Sequence, residues 1–418
     1  MSSLDLRQPA ALGAARAGSG IVLRLPDLGA DIPQAVELQQ PIMWPRPQAP
    51  ITSRVAFAAA HVVPRRESDN SPGRPATLDW DSTLAYRHRI WGYGLGVAEA
   101  MDTAQRGMGL DWAATQELIR RSSADARAVS GRIACGAGTD QLALEELPEG
   151  TAGLRAVTDA YREQIEFVAG EGSQVIVMAS RALARVARSA DDYLRVYDEI
   201  IAGVDQPVIL HWLGPMFDPA LSGYWGSDDI MLATETFLAL VRAHADRIDG
   251  VKVSLLDADH EIGLRRSLAD TPTSDGRRIR LYTGDDFNYP QLISGDGRHH
   301  SDALLGIFAA IYPAASVALQ HFDSGDAEAG TRVLASTEAL GRHVFEAPTY
   351  YYKTGIAFLS WLNGYQPGFQ MVSGLQSGRS VRHLVDLLLL ADSCGLLVAP
   401  ALAARRMTQL LRVAGWSS

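Results

Sequence analysis

Cysteine is nearly absent: Cys135 and Cys394 are the two in 418 residues. They cannot build a disulfide framework, and neither belongs to a CxxC pair, so both are expected as buried, reduced thiols. Basic excess is lacking as well. Lys and Arg number 38 against 48 Asp and Glu, a net charge of −10, which excludes a broad nucleic-acid or anionic-lipid surface while allowing a local pocket for a small anion. The longest apolar run, residues 304–319, contains Tyr312 and Pro313 and falls short of the roughly 20 residues that a membrane helix needs. No charged region followed by an apolar core opens the chain, so a soluble, cytoplasmic protein is expected. P-loop, GxSxG, HExxH and zinc-knuckle spacings are missing, as are repeats and low-complexity tracts.

What is present suits a large folded enzyme. Apolar residues make up 47% of the chain, charged residues 21% and aromatic residues 7%, enough for a sizeable core. The length allows one enlarged domain or two ordinary ones.

Residues 1–51 are rich in Ala, Gly, Pro and Gln, with short alternating pieces at 21–25 and 35–38. They read as an N-terminal arm or small hairpin. Beyond them come eight apolar, strand-like runs, at 54–63, 96–101, 132–136, 174–178, 207–212, 250–255, 280–283 and 303–309. Amphipathic segments at 78–93, 112–129, 151–170, 190–203 and 229–245 lie between them. Eight strand-helix alternations without a glycine-rich dinucleotide turn predict a (β/α)8 TIM barrel over 52–313. Helical patterns at 327–345, 354–363 and 381–391, with a glycine-rich stretch at 364–378, predict a C-terminal helical extension over 314–418. That stretch is a candidate lid.

Barrel active sites lie where the strands end, which selects His61, Asp102 to Arg106, residues 136–140, Ser180, His211, Lys252 and Asp285-Asp286. Lys252 sits in an otherwise apolar strand, Gly250-Val251-Lys252-Val253-Ser254-Leu255. A desolvated lysine gives up its proton more readily and becomes a nucleophile toward carbonyls, which is Schiff-base chemistry. A salt bridge from Lys252 to Asp257 or Asp285 is the competing structural reading. Histidine titrates near neutrality, so His211 is either a proton shuttle or a satisfied core histidine. A second constellation, drawn from Glu99, Asp102, His211, Asp257, Asp259, His260, Asp285, Asp286, His299 and His300 with Glu99, Asp257 and His260 as the alternative ligands, supplies enough carboxylate and imidazole for a divalent metal. Those residues have no fixed ligand spacing and read equally as loop residues. Tyr350-Tyr351-Tyr352-Lys353 either reaches an active site or interface, or packs as an aromatic cluster.

Several of these segments carry a resemblance. Residues 55–64 look like the opening strand of the dihydrodipicolinate synthase and N-acetylneuraminate lyase family, and Thr77-Leu78-Asp79-Trp80 is similar to its "IDW" motif. Asp102-Thr103-Ala104-Gln105-Arg106-Gly107 aligns with the family's GTTGES, Asp249-Gly250-Val251-Lys252 with its Schiff-base strand, and Thr283-Gly284-Asp285-Asp286 with the turn that follows. Ser301 to Pro313 resembles its final strand and helix. Covering residues 53–361, the chain resembles an uncharacterised branch of this class I aldolase superfamily.

The resemblance implies a lyase that acts on a keto or aldehyde metabolite, sugar-derived or an oxo acid, through a Schiff base on Lys252. No cofactor is implied, and the family assembles as homodimers or homotetramers. His211 stands where the family has its proton-relaying tyrosine. Thr103, Arg106, Asp102, Asp285 and Asp286 are the substrate-orienting candidates. Ala104 and Arg106 replace a threonine and a glutamate of the family motif, so pyruvate specificity does not carry over. Arg106 either clamps a carboxylate or phosphate by a bidentate fork, or pairs with Asp102 or Asp140. The alternatives are a metal-dependent sugar lyase, isomerase or epimerase, and a noncatalytic ligand-binding barrel.

Overall fold

The computed structural model describes residues 16–29, 34–101 and 105–416. The first two strands, β1 (Gly18–Arg24) and β2 (Ala35–Gln39), form an antiparallel hairpin. Eight parallel strands follow: β3 (Ala56–Ala59), β4 (Gly96–Glu99), β5 (Ile133–Ala137), β6 (Gln174–Val177), β7 (Val208–Leu213), β8 (Ile248–Ser254), β9 (Arg280–Thr283) and β10 (Asp302–Leu305). Each pairs with the next, and β10 closes on β3. The (β/α)8 barrel expected from the alternation is what forms, and each of the eight runs contributes one strand.

Two-sided burial explains why these runs are almost wholly apolar. Alternate residues point to opposite faces. Phe57, Ala59, Ala98, Ala134, Ile176, Ile209, Tyr282 and Leu304 fill the barrel interior as one apolar cluster. Their neighbours, such as Ala58, Val97, Cys135, Val177, Leu210 and Leu281, join the larger cluster under the helices. Side-chain caps start many of those helices: Asp79 accepts from Ser82 N, Asp111 from Ala114 N, Ser180 from Leu183 N and Asp257 from His260 N. Both cysteines are free and buried.

The barrel does not stop at residue 313. The helix after β10 runs Phe308–Asp323 with Pro313 inside it. Pro313 has no N–H to offer the Ala309 carbonyl four residues back, and the Tyr86 hydroxyl donates to that carbonyl instead. A side chain distant in sequence therefore lets the helix continue where the local pattern predicts its end.

Helices Ala327–Ser336, Glu338–Val344, Tyr352–Leu362, Val381–Ser393 and Pro400–Val413 make the extension. A two-stranded hairpin is marginal alone, and the N-terminal one leans on this layer. Leu23 and Leu38 are buried, Gln39 N donates to the Asp392 carboxylate, and Arg382 donates to the Leu28 carbonyl. Burial holds the Asp392 carboxyl up to about 6. Arm and extension thus form one structural layer against the barrel.

Candidate active site

Lys252 and His211 face each other in register across β8 and β7. His211 is two residues past the interior Ile209 on β7, and Lys252 is two residues past its partner Gly250 on β8, so both point into the upper barrel. His211 is buried, and its Nε2 lies 3.2 Å from Ser254 Oγ. Lys252 is 8% exposed. Gly284, just past the end of β9, makes room for the lysine stem. A Cβ there would stand 3.0 Å from Lys252 Cε and 2.1 Å from Ser254 Oγ.

The two acids of the following turn have different jobs. Asp285 accepts from Phe287 N and Asn288 N, both at 2.9 Å, and from Asn288 Nδ2 at 2.7 Å. It therefore shapes the turn that follows β9. Asp286 is buried and accepts from Ile307 N at 2.7 Å. Burial pushes its carboxyl well up from the usual range, and the charges of Lys252 and Lys353 oppose that rise.

Lys353 closes the segment expected either to reach an active site or interface or to pack as an aromatic cluster, and the fold brings its amine to the end of β3. It comes from the helix Tyr352–Leu362, is fully buried, and donates to the Ala59 carbonyl at the end of β3. Its ammonium lies 4.9 Å from the centroid of the Tyr352 ring. Burial drives its amine down, and Asp286 pulls the other way. A signal for it does exist in the composition. Of the 38 Lys and Arg residues, 36 are arginine, and the only two lysines in the chain are Lys252 and Lys353.

The extension roofs this end of the barrel. Phe345 and Tyr352 stack at 4.2 Å, and a Cβ on Gly306 would stand 2.6 Å from each ring. Tyr350-Tyr351-Tyr352-Lys353 is thus both a packed aromatic group and a contribution to the mouth. Gly364–Gly378 packs over neighbouring loops, with Gln366 Oε1 2.7 Å from His61 Nε2 and Ser373 against Gly109. Burial keeps His61 neutral, down to about 3.

Beside the mouth lies a cavity of about 510 Å³, lined by Thr139, Ser180, Arg181, Leu213, Phe217 and Tyr350 among others. Lys252 is not on its wall. Met178 lines this cavity and also belongs to the barrel's apolar interior. Leu213, two residues past His211, shares that strand's inward side. The cavity therefore sits one layer above His211. Its polar groups include the Thr139 and Ser180 hydroxyls, 2.6 Å apart, and the Arg181–Asp218 ion pair.

Arg106 borders the same cavity, yet all five of its N–H groups are taken. Nε and Nη2 fork onto Asp140 at 3.0 and 2.7 Å, Nη1 donates to the Ala100 and Gly136 carbonyls, and Nη2 also meets Gln164. Of the two readings left open for Arg106, the pairing with Asp140 is the one present, and the guanidinium holds the loops after β4 and β5. Asp102 and Thr103 lie outside the described residues.

The alternative metal set does not assemble. Glu99 points outward, where Arg87 grips it at 2.8 Å through both nitrogens and Ser122 donates at 2.7 Å. Asp257 caps its helix, and His260 lies 2.8 Å from the Thr234 hydroxyl. Among the described residues, the one close group of three potential ligands is His343, Glu346 and His383, in the extension.

A closed barrel of eight parallel strands with helices around it defines a (β/α)8 fold. Solved dihydrodipicolinate synthases share it. The enzyme from Thermotoga maritima aligns with a TM-score of 0.60 at 14% identity, over 83% of this chain and 100% of its own. That from Aquifex aeolicus aligns with 0.60 at 10%, over 82% and 99%. The chloride-inhibited enzyme from Acinetobacter baumannii, complexed with pyruvate, aligns with 0.58 at 14%, over 82% and 100%. No curated protein matches in sequence. The chain belongs to the family described as "Protein of unknown function (DUF993)", which matches residues 23–416. Among the described residues, no helix is long and apolar enough to cross a membrane.

Proposed function

We propose that the protein is a class I aldolase-like lyase in which Lys252 forms a Schiff base with a keto or aldehyde substrate. The observation that carries this reading is the buried Lys252 amine on the inner face of β8, opposite His211, in a chain that retains only two lysines. The Nζ lone pair adds to the carbonyl carbon, and the carbonyl oxygen takes up protons and leaves as water. In carbon-carbon cleavage a base takes the proton of the β-hydroxyl, the pair of the α–β bond flows into the iminium to give an enamine, and the β-carbon leaves as a carbonyl fragment. In carbon-oxygen cleavage loss of the α-proton gives the enamine first, and its pair expels the β-oxygen, which takes up a proton and leaves as water. Protonation at carbon and addition of water then release the product and restore the amine.

His211 is the group placed to move protons beside the reacting carbon, and Asp286, whose carboxyl burial pushes up, is a second candidate. The chemistry needs no cofactor. The hydroxyls of Thr139 and Ser180 and the Arg181–Asp218 pair suit an oxygen-rich tail, which favours a sugar-derived or oxo-acid metabolite. The family resemblance adds a homodimer or homotetramer as the assembly.

Borohydride reduction in the presence of pyruvate, longer 2-oxo acids, aldoses and ketoses tests the reading through intact mass. A stable adduct on the wild type that is lost in Lys252→Met supports it. Equal labelling of Lys252→Met, or no adduct with any carbonyl in the panel, removes it.

A further inference from the structure

In the C-terminal extension, away from Lys252, three side chains present the donors of a metal centre. His343 lies in the last turn of the helix Glu338–Val344, Glu346 follows two residues after that helix, and His383 is in the first turn of the helix Val381–Ser393. One donor atom from each lies within 4.8 Å of the other two. The side chains of His343 and His383 are 5% and 4% exposed, whereas that of Glu346 is 49% exposed. Two buried imidazoles thus meet a carboxylate that opens to solvent, which gives an ion a way in.

The partners of the rings decide which nitrogens are available. His343 Nε2 lies 2.9 Å from the His383 backbone carbonyl. A carbonyl only accepts, so Nε2 carries the hydrogen and Nδ1 presents a lone pair. That lone pair faces Glu346 Oε2 at 3.6 Å, an unfavourable meeting unless a cation stands between them. A ring that donates one N–H to a backbone carbonyl and offers its other nitrogen is the usual setting of a metal-bound histidine. His383 Nδ1 approaches the same carboxylate, 2.7 Å from Oε1. Burial, His343 and Arg379 push His383 down to about 2, so its ring is neutral, as a ligand must be. Arg379 Nη2 donates to the Val344 and Glu346 carbonyls at 3.2 and 2.7 Å and fixes the turn between the ligands.

Filling the site takes a small movement. Ligand bonds of about 2.0–2.2 Å to a tetrahedral ion place neighbouring donors about 3.4 Å apart, so atoms within 4.8 Å of one another close in by no more than about 1.4 Å. The rings stack at 4.0 Å with planes 19° apart, and each pivots about its Cβ–Cγ bond, a soft torsion in histidine. Two imidazoles and one carboxylate suit zinc and ions like it better than calcium or magnesium.

An ion here would close a loop of 40 positions (383 minus 343), and clips across long loops gain the most. The loop contains Phe345, Tyr352 and Lys353, which roof the barrel mouth, and the 364–378 stretch. Its helix Tyr352–Leu362 is wedged between the ligand-bearing helices. A Cβ on Gly355 would stand 2.8 Å from Leu387 Cδ1, one turn beyond His383, and 3.4 Å from Val344 Cγ1, next to His343. We propose that His343, Glu346 and His383 bind one divalent cation of the zinc class, with solvent in the fourth position, and that the ion clips together the two helices gripping this roof. The role is structural and independent of the chemistry assigned to Lys252.

Untagged protein stripped with a chelator and titrated with cobalt(II) or zinc alone tests the proposal. One cobalt(II) per chain should bind with the visible absorption of a tetrahedral ion, and one zinc should displace it. Zinc at about a hundredfold excess over its Kd should raise the Tm by about 2 °C or more and slow hydrogen exchange in peptides covering 345–380. Glu346→Gln leaves an oxygen for His383 Nδ1 to donate to but removes the carboxylate. It should weaken zinc binding by at least the roughly tenfold that losing even an outer partner costs. His343→Phe keeps the ring stack and should lose the cobalt spectrum; if it does not fold, the half-exposed Glu346→Gln carries the test. A wild type with neither cobalt spectrum nor zinc stabilisation overturns the site, and so does binding that the folded variants retain in full. Zinc that binds without slowing exchange across 345–380 overturns the clip.

Discussion

Tyr86 completes the helix that Pro313 interrupts. Its hydroxyl donates to the Ala309 carbonyl, which faces the ring nitrogen of Pro313 in place of an N–H. Tyr86→Phe should lower stability by about 1–2 kcal/mol, the range for leaving a buried carbonyl without its donor. Denaturant unfolding measures this, and an unchanged midpoint would show that the carbonyl is satisfied in another way.

Arg106 is predicted to act on stability before it acts on substrate. Arg106→Lys cannot reach Asp140, Gln164 and two carbonyls together, and the loss should be about 2–4 kcal/mol, as for a broken, mostly buried ion pair. Asp140→Asn should fall in the same direction by less, because Asp140 is partly exposed. If Arg106→Lys kept full stability while binding of an anionic substrate collapsed, the clamp reading would return.

Gly284 and Gly263 separate site crowding from helix propensity. An added Cβ at 284 meets Ser254 Oγ, the Val253 carbonyl and the Lys252 stem, so Gly284→Ala should slow methylation of Lys252 at least tenfold and destabilise by about 1–3 kcal/mol. Gly263 lies in the helix Ala258–Ala269, with nothing within 4 Å of such a Cβ. Gly263→Ala should raise stability by about 0.5–1 kcal/mol and leave Lys252 labelling alone. Thermal melts and labelling rates on both variants decide the matter.

Glu261 sets a pH dependence with a definite sign. Burial pushes its carboxyl up to about 8, while Ser301 and Thr283 donate to it at 2.8 and 2.9 Å and Arg265 lies nearby. The unfolded chain ionises this group near its usual 4.5, so the folded state loses stability relative to the unfolded one as pH rises from there to about 8. Glu261→Gln does not titrate. The Tm of the variant minus that of the wild type should therefore climb between pH 5 and pH 8 and level off above. A flat difference would mean that Glu261 is ionised in the fold.

The barrel was legible because strands buried on both faces must be apolar, and the eight runs stand out for that reason. Lys252 was legible on the same grounds, as an amine inside such a run. The end of the barrel at Pro313 was misplaced because a proline reads as a stop, and the compensating hydroxyl comes from Tyr86, more than two hundred positions away. Asp140 was legible as a possible partner of Arg106, but Gln164 and the Ala100 and Gly136 carbonyls that complete its hydrogen bonds become neighbours only when the loops close. Lys353 lay hidden beside three tyrosines whose packing explained the segment well enough. The rarity of lysine is the cue that marks it, and the fold is needed to bring it to the Ala59 carbonyl at the end of β3.

The most direct test is to locate the adduct. After borohydride reduction with the carbonyl panel, tandem mass spectrometry of the digested protein should find the added mass on the Lys252 peptide and leave the Lys353 peptide unmodified. An adduct on Lys353, or none on either lysine, would contradict the assignment of Lys252 as the nucleophile.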